Sequence, residues 1–267
     1  MSEAALARRW KRPPLIPNPW LRWALYLAGL AYLIAALSTV EVNWARVSDG
    51  LAQGWRFVEG FLVPDFSSRS RDIWRGMEES LTMTVTSTIV GCLISIPIGL
   101  GAARNIAPLP VYAVCRAIIA ASRAFQEVII AILFVAMFGF GPFAGFLTLS
   151  FATIGFMAKL LAEDIEDINE AQAEAIRATG ASWWQVINYG IQPQITPRLI
   201  GLSLYRLDIN FRESAVIGIV GAGGIGATLN TAMQRYEYDT AGAILIMIIV
   251  IVLIAEYASS YLRKWVQ

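Results

Sequence analysis

Three stretches of this chain, residues 23–40, 80–103 and 128–158, contain no charged residue. A helix needs roughly 20 mostly apolar residues to cross the hydrocarbon core of a bilayer, and each stretch supplies that. The rest of the composition agrees: 57% of residues are hydrophobic, 15% are charged, and the mean hydropathy is +0.56. A net charge of +1 offers no basic surface for nucleic acid. The expected fold is an all-α membrane protein.

Hydropathy predicts about six transmembrane helices, at 21–40, 80–103, 111–138, 143–161, 199–220 and 240–262. Arg8, Arg9, Lys11 and Arg12 precede the first, which is too long for a signal core and lacks a small-x-small cleavage site, so it reads as an uncleaved helix. That basic stretch (1–20) and the 263–267 tail with Arg263 and Lys264 are expected in the cytoplasm under the positive-inside rule. Six spans put both ends on one side. Trp20, Trp23, Tyr236, Tyr238, Tyr261 and Trp265 flank the spans, as interfacial aromatics do. Residues 41–79 are then periplasmic, and Leu51, Trp55, Val58 and Leu62 recur at helical spacing, which suggests an interfacial helix. Residues 80–262 form one core, including a polar cytoplasmic segment at 162–197, and no internal repeat is present.

The chain has no histidine, which excludes a Ser-His-Asp triad, a Cys-His pair and any His-ligated metal site. Cys92 and Cys115 fall inside apolar runs and read as small core residues. No Gly-rich loop ends in Lys-Ser or Lys-Thr, so ATP binding by a P-loop is not expected.

The cytoplasmic segment holds the most telling pattern. Residues 169–178, Asn-Glu-Ala-Gln-Ala-Glu-Ala-Ile-Arg-Ala, favour helix, and Gly180 supplies the left-handed stop. Ser182 with Gln185 three residues on predicts a capping box for the next helix. Pro193 and Pro197 are expected to close the segment before the fifth span. Helix, stop and helix make a rigid knob suited to a partner's groove.

Glu174, Ala175, Gly180 and Pro193 match the cytoplasmic Glu-Ala-Ala motif of bacterial ABC importer permeases; Ile176 stands for its second Ala and Gln192 for the Leu before the Pro. From about residue 79 onward the chain resembles the phosphonate-importer permeases. The resemblance is carried by 96–105 (Ile-Pro-Ile-Gly-Leu-Gly-Ala-Ala-Arg-Asn), 180–185, and 211–214 leading into 221–226. It implies a type I ABC importer permease (MetI-like) core with one extra N-terminal helix. It also implies an ATPase-coupling role for Glu174, Ala175, Ile176, Thr179, Gly180, Ala181 and Ser182. The implied partners are a second copy of the chain, two cytoplasmic ABC ATPase subunits that bind ATP and Mg, a periplasmic phosphonate-binding protein, and membrane lipid. No cofactor or metal is expected on this chain, and the permease itself catalyses no covalent step. Phosphate, phosphite or another small solute are the alternative cargoes. A secondary transporter is the other class that intramembrane charges would suit, although such proteins commonly carry internal repeats.

Charges inside the spans are costly and face partners or water. Arg116, Arg123 and Glu127 are spaced to share one face of the third span, with Arg123 and Glu127 placed to pair at i,i+4. In the fifth, Arg206, Asn210 and Glu213 form one stripe, and Asp208 and Arg212 are placed to pair on another face. These residues suit either an oxyanion path or a structural ion-pair network, and the acidic neighbour beside each Arg favours the network. Glu256 has no evident partner.

Residues 221–226, Gly-Ala-Gly-Gly-Ile-Gly, spell the dinucleotide-binding fingerprint, with Glu237 and Asp239 near the distance of a ribose-binding acid. The context is wrong: a Rossmann unit needs a βαβ repeat, and the next element is an apolar run. Residues 214–220 read as the outer end of the fifth span. Gly221, Gly223, Gly224 and Gly226 are instead expected to make tight turns at an outer gate.

Overall fold

A computed structural model describes residues 16, 18–39 and 43–266. It divides into two compact units, Met1–Arg56 and Phe57–Gln267. The basic run from Arg8 to Arg12 and Val40 lie outside the described residues. All regular structure among the described residues is helical.

The smaller unit holds α1 (Pro19–Ser38), with Asn18 capping its start through a 3.1 Å bond from the Trp20 amide. None of its residues is buried within that unit. Helix α2 (Trp44–Phe61) carries Leu51, Trp55 and Val58 of the expected apolar set, all exposed, while Leu62 falls just beyond its end.

The larger unit is a bundle of α3 (Ser70–Gly101), α4 (Leu109–Ala124), α5 (Glu127–Phe138), α6 (Pro142–Glu166), α9 (Gln192–Ile219) and α11 (Tyr238–Val266). Between α6 and α9 lie α7 (Glu170–Ala178), the single turn α8 (Trp183–Gln185) and a π-helical turn, Val186–Ile191. A short α10 (Gly224–Gln234) sits between α9 and α11. Lipid offers no hydrophobic drive for helices to associate, so small residues that let backbones approach must do it. Helix α3 is built this way. It buries Gly76, Ser80, Thr84, Ser87, Gly91, Ser95 and Gly99 at helical spacing and exposes Leu81, Val85, Ile89, Leu93 and Ile96. Thr88 and Ser95 hydroxyls turn back to carbonyls of the previous turn at 2.6 and 2.7 Å, which satisfies these two groups within the helix.

Five of the six expected spans are continuous helices, and their ends depart from hydropathy in instructive ways. Helix α3 begins ten residues before the apolar run, at Ser70, because Ile73, Gly76 and Met77 pack into the bundle although charges surround them. Helix α6 continues to Glu166 and α9 starts at Gln192, so the segment outside the long helices is shorter than 162–197. Pro193 and Pro197 do not end that segment. Pro193 falls where the π turn passes into α9, and Pro197 lies inside the helix.

The expected third span is the clear correction. It is two helices, α4 and α5, bent by 92°. Phe125 (φ −109°, ψ 142°) and Gln126 (φ −73°, ψ 143°) are extended. Arg123 and Glu127 therefore sit on different helices, share no face, and form no ion pair with each other.

Candidate functional site

At one end of the bundle, α7 and the turn that follows form the expected knob. Asn169 caps α7 by accepting from the Ala171 amide at 3.1 Å. Gly180 adopts φ +81°, the left-handed stop. Gln185 Oε1 accepts from the Ser182 amide at 2.7 Å, the reciprocal half of a capping box. Helix α7 buries Ala173 against Gly190 of the π turn, where a Cβ on the glycine would stand 3.2 Å from the Ala173 Cα. Gln194 staples α7 to α9: its Oε1 accepts from the Asn169 amide at 3.0 Å and its Nε2 donates to the Gly190 carbonyl at 2.6 Å.

Glu174, Ala175, Thr179, Gly180 and Ser182 are left exposed, with Ile176 and Ala181 half-buried. The second helix of the knob is not a separate short rod. It runs through the π turn into α9, so the knob is continuous with a long helix. Trp183 and Trp184, packed edge to face at 4.6 Å and both exposed, extend the same surface. Their weight was legible only as two aromatics beside a glycine stop.

The buried charges resolve into distinct sets. Arg116 lies toward the knob side of α4. It donates to the Ala102 carbonyl and pairs with Glu166 at 2.9 Å, tying the knob-side ends of α3, α4 and α6 together. Midway along α9, Arg206 is 3% exposed and pairs with Glu213 at 3.1 Å, donates to Thr153 Oγ1 at 3.2 Å, and lies 5.3 Å over the Phe156 ring. Asn210, fully buried, donates to Thr88 Oγ1 at 2.8 Å and to Thr153 Oγ1 at 2.9 Å, so one amide joins α3, α6 and α9. Asp208 and Arg212 pair as their spacing predicts. Arg123, Gln126 and Glu127 gather at the break, around a cavity of about 420 Å³ that Ser122, Ala152 and Phe156 also line. Gln126 was not among the expected residues; three polar side chains inside an apolar run were the signal for it.

At the opposite end, Gly221, Gly223 and Gly224 take φ of +98°, +76° and +72°. The chain reverses there, and α10 packs back against α9, where Gly218 and Gly226 allow backbone contact. Glu79 accepts from the Gly224 amide at 3.2 Å and Ser80 Oγ from the Ile225 amide at 2.9 Å, which pins the start of α10 to α3. The Gly141 amide donates to the Gly221 carbonyl at 3.0 Å. Glu237 is held by Arg69 at 2.8 Å, and residues 214–220 are helical up to Ile219. The glycine run is thus a tight turn between helices, and the βαβ setting of a nucleotide site is absent among the described residues.

A bundle of long apolar helices with charges paired across its middle, a knob at one end and a glycine turn at the other defines a multi-pass helical permease. The chain belongs to the family of binding-protein-dependent transport system inner membrane components, which matches residues 95–267, and it is a multi-pass inner-membrane protein. It is 41% identical to the phosphate-import permease protein PhnE of Mycolicibacterium smegmatis over 86% of this chain, and spans 44% of that relative's length. It is 37% identical to the putative phosphite transport system permease protein HtxC of Stutzerimonas stutzeri, over 90% of this chain and 86% of the relative. Among solved structures, an inward-facing conformation of the MetNI methionine ABC transporter superposes with a TM-score of 0.63 at 25% identity, over 74% of this chain and 95% of that one.

Proposed function

We propose that this chain is the membrane subunit of an ATP-driven importer for a small phosphorus oxyanion, with phosphonate as the favoured cargo and phosphite and phosphate as the alternatives. The observation that carries this reading is the identity of 37–41% to permeases named for phosphite and phosphate transport, with 44% identity over 44% of this chain to one named for phosphonate transport in Escherichia coli. In the working transporter two copies of the chain dock on two cytoplasmic ATPase subunits, which bind ATP and Mg and carry out the hydrolysis. An external binding protein delivers the anion. Both termini face the cytoplasm, in keeping with six crossings and basic ends, so α7 faces the ATPase and the glycine turn faces outward.

The mechanism follows from rigidity. Closure of the ATPase pair displaces the surface formed by Glu174, Ala175, Ile176, Thr179, Gly180, Ala181 and Ser182. Gln194 and the Ala173–Gly190 contact pass that displacement to α9. Helix α9 carries the central Arg206–Asn210–Glu213 network and ends at the glycine turn, so its movement reaches the middle and the outer end together. The test is co-purification in mild detergent, with ATPase activity followed as a binding protein loaded with methylphosphonate, phosphite or phosphate is added. A bound ATPase stimulated by one loaded form supports the reading and identifies the cargo. A well-folded preparation with no ATPase partner overturns it.

A further inference from the structure

We propose that the break between α4 and α5 is a station on the transport path where the oxyanion is met, with Arg123 as its cationic contact and Gln126 as a neutral donor. This rests on the importer reading above and adds to it the side chains that touch the cargo.

The break lies at membrane depth. Ser122, one residue before Arg123, donates to the Phe151 carbonyl at 2.7 Å, and Gly155 packs against both residues. Those contacts fall at the middle of α6, which runs from Pro142 to Glu166. The neighbouring Phe156 carries Arg206, itself midway along α9. Non-helical backbone at such depth survives only where it is buried in protein or lines a water-filled cavity. Phe125 and Gln126 are extended and exposed, and a cavity of about 420 Å³ opens beside them. Water or a hydrated ligand is the environment that this backbone requires.

Charge points the same way. Arg116, Arg206 and Arg212 each have a carboxylate partner. Arg123 forms no ion pair or side-chain hydrogen bond among the described residues, and its side chain is exposed on the cavity. An unpaired cation inside the membrane is kept where it faces a path. A guanidinium presents parallel N–H donors that match two oxygens of a phosphorus oxyanion, and the Gln126 amide supplies another neutral donor. Glu127 lines the same cavity. A bound anion would meet one attractive and one repulsive charge there, which suits a station that must also release what it holds.

The test uses the whole transporter, with its ATPase and binding protein, in cells lacking other uptake of these anions. Radiolabelled phosphate, phosphite and methylphosphonate are the probes. Arg123→Gln is expected to lower uptake at least about tenfold, the value of one hydrogen bond to a charged group. Arg123→Lys should recover part of the loss, because the charge returns without the fork. Gln126→Glu, which leaves Arg123 in place and adds a like charge, should also lower uptake. All three should assemble in wild-type amounts and melt with the wild type in detergent. Unchanged uptake in Arg123→Gln overturns the assignment. So do equal losses in the Lys and Gln variants, or loss of assembly in them while Gln126→Glu transports normally, since these mark a structural role. Failure of the wild type to take up any of the three probes instead overturns the importer reading, and this inference falls with it.

Discussion

Gly91 on α3 and Thr153 on α6 stand so close that a Cβ on the glycine would lie 2.5 Å from the Thr153 Cβ. Thr153 in turn receives hydrogen bonds from Asn210 and Arg206 of α9. Backbone contact between α3 and α6 thus sets the place of the one hydroxyl that the central polar network shares. Gly91→Ala is expected to push the helices apart and cost about 1–3 kcal/mol, the usual penalty for overpacking. Gly201→Ala, with nothing within 4 Å, should be neutral or slightly stabilising. Melting of the two purified variants in detergent checks the contrast.

Arg206 and Glu213 make a pair whose value lies in mutual need. Their side chains are 3% and 23% exposed, so removing one partner strands the other. Arg206→Met should destabilise by about 3–5 kcal/mol, and adding Glu213→Gln should restore a good part of it. A double-mutant cycle on unfolding gives the coupling directly. If the double variant is no better than the single, Glu213 does not depend on Arg206.

At the knob, Gly180 sits at φ +81° with open space where a Cβ would be. Gly180→Val therefore strains only the local backbone, by about 1–2 kcal/mol. The expected result is about tenfold weaker association with the ATPase, with little change in the melting of the membrane unit. Titration of the purified partner onto each variant measures it.

Gly223 combines φ +76° with a Cβ position 2.6 Å from the Pro142 nitrogen, so it is both twisted and crowded. Gly223→Val should displace the turn from the α5–α6 connection and lower uptake at least about tenfold, from strain of order 1–3 kcal/mol. The ATPase should remain docked, since α7 lies at the other end of the bundle. Uptake and co-purification measured on the same membranes separate the two effects.

Acid reaches a different part of the molecule. The Asp65 carboxylate accepts from the hydroxyls and amides of Ser67 and Ser68, bonds that hold it well below the usual carboxylate range. A depressed value means that the turn's contribution is present above the ordinary carboxylate pKa and is lost as pH falls through the lowered one. Asp65→Asn should therefore make the α2–α3 connection easier to cleave by protease at neutral pH, a difference that narrows in strong acid.

Local chemistry was read correctly where a few neighbouring residues decide the outcome. Gly180, Ser182 and Gln185 gave the helix stop and cap because backbone freedom and a three-residue side-chain reach suffice. The pairing of Asp208 with Arg212 followed from one helical turn. Arg123 and Glu127 carry the same spacing and do not pair, because the chain between them is extended. No proline or glycine marks that break, so periodicity had nothing to register.

The amino-acid sequence by itself determined a multi-pass helical membrane protein with a capped knob and a glycine turn, since hydropathy, capping and left-handed glycines act over one or two helical turns. Tertiary structure alone decided which charges are satisfied and which are left without a partner among the described residues. Arg116 finds Glu166 fifty residues away, and Asn210 finds Thr88 122 residues away. Such partners are fixed by how closely small residues let the helices approach. A linear pattern does not contain that distance.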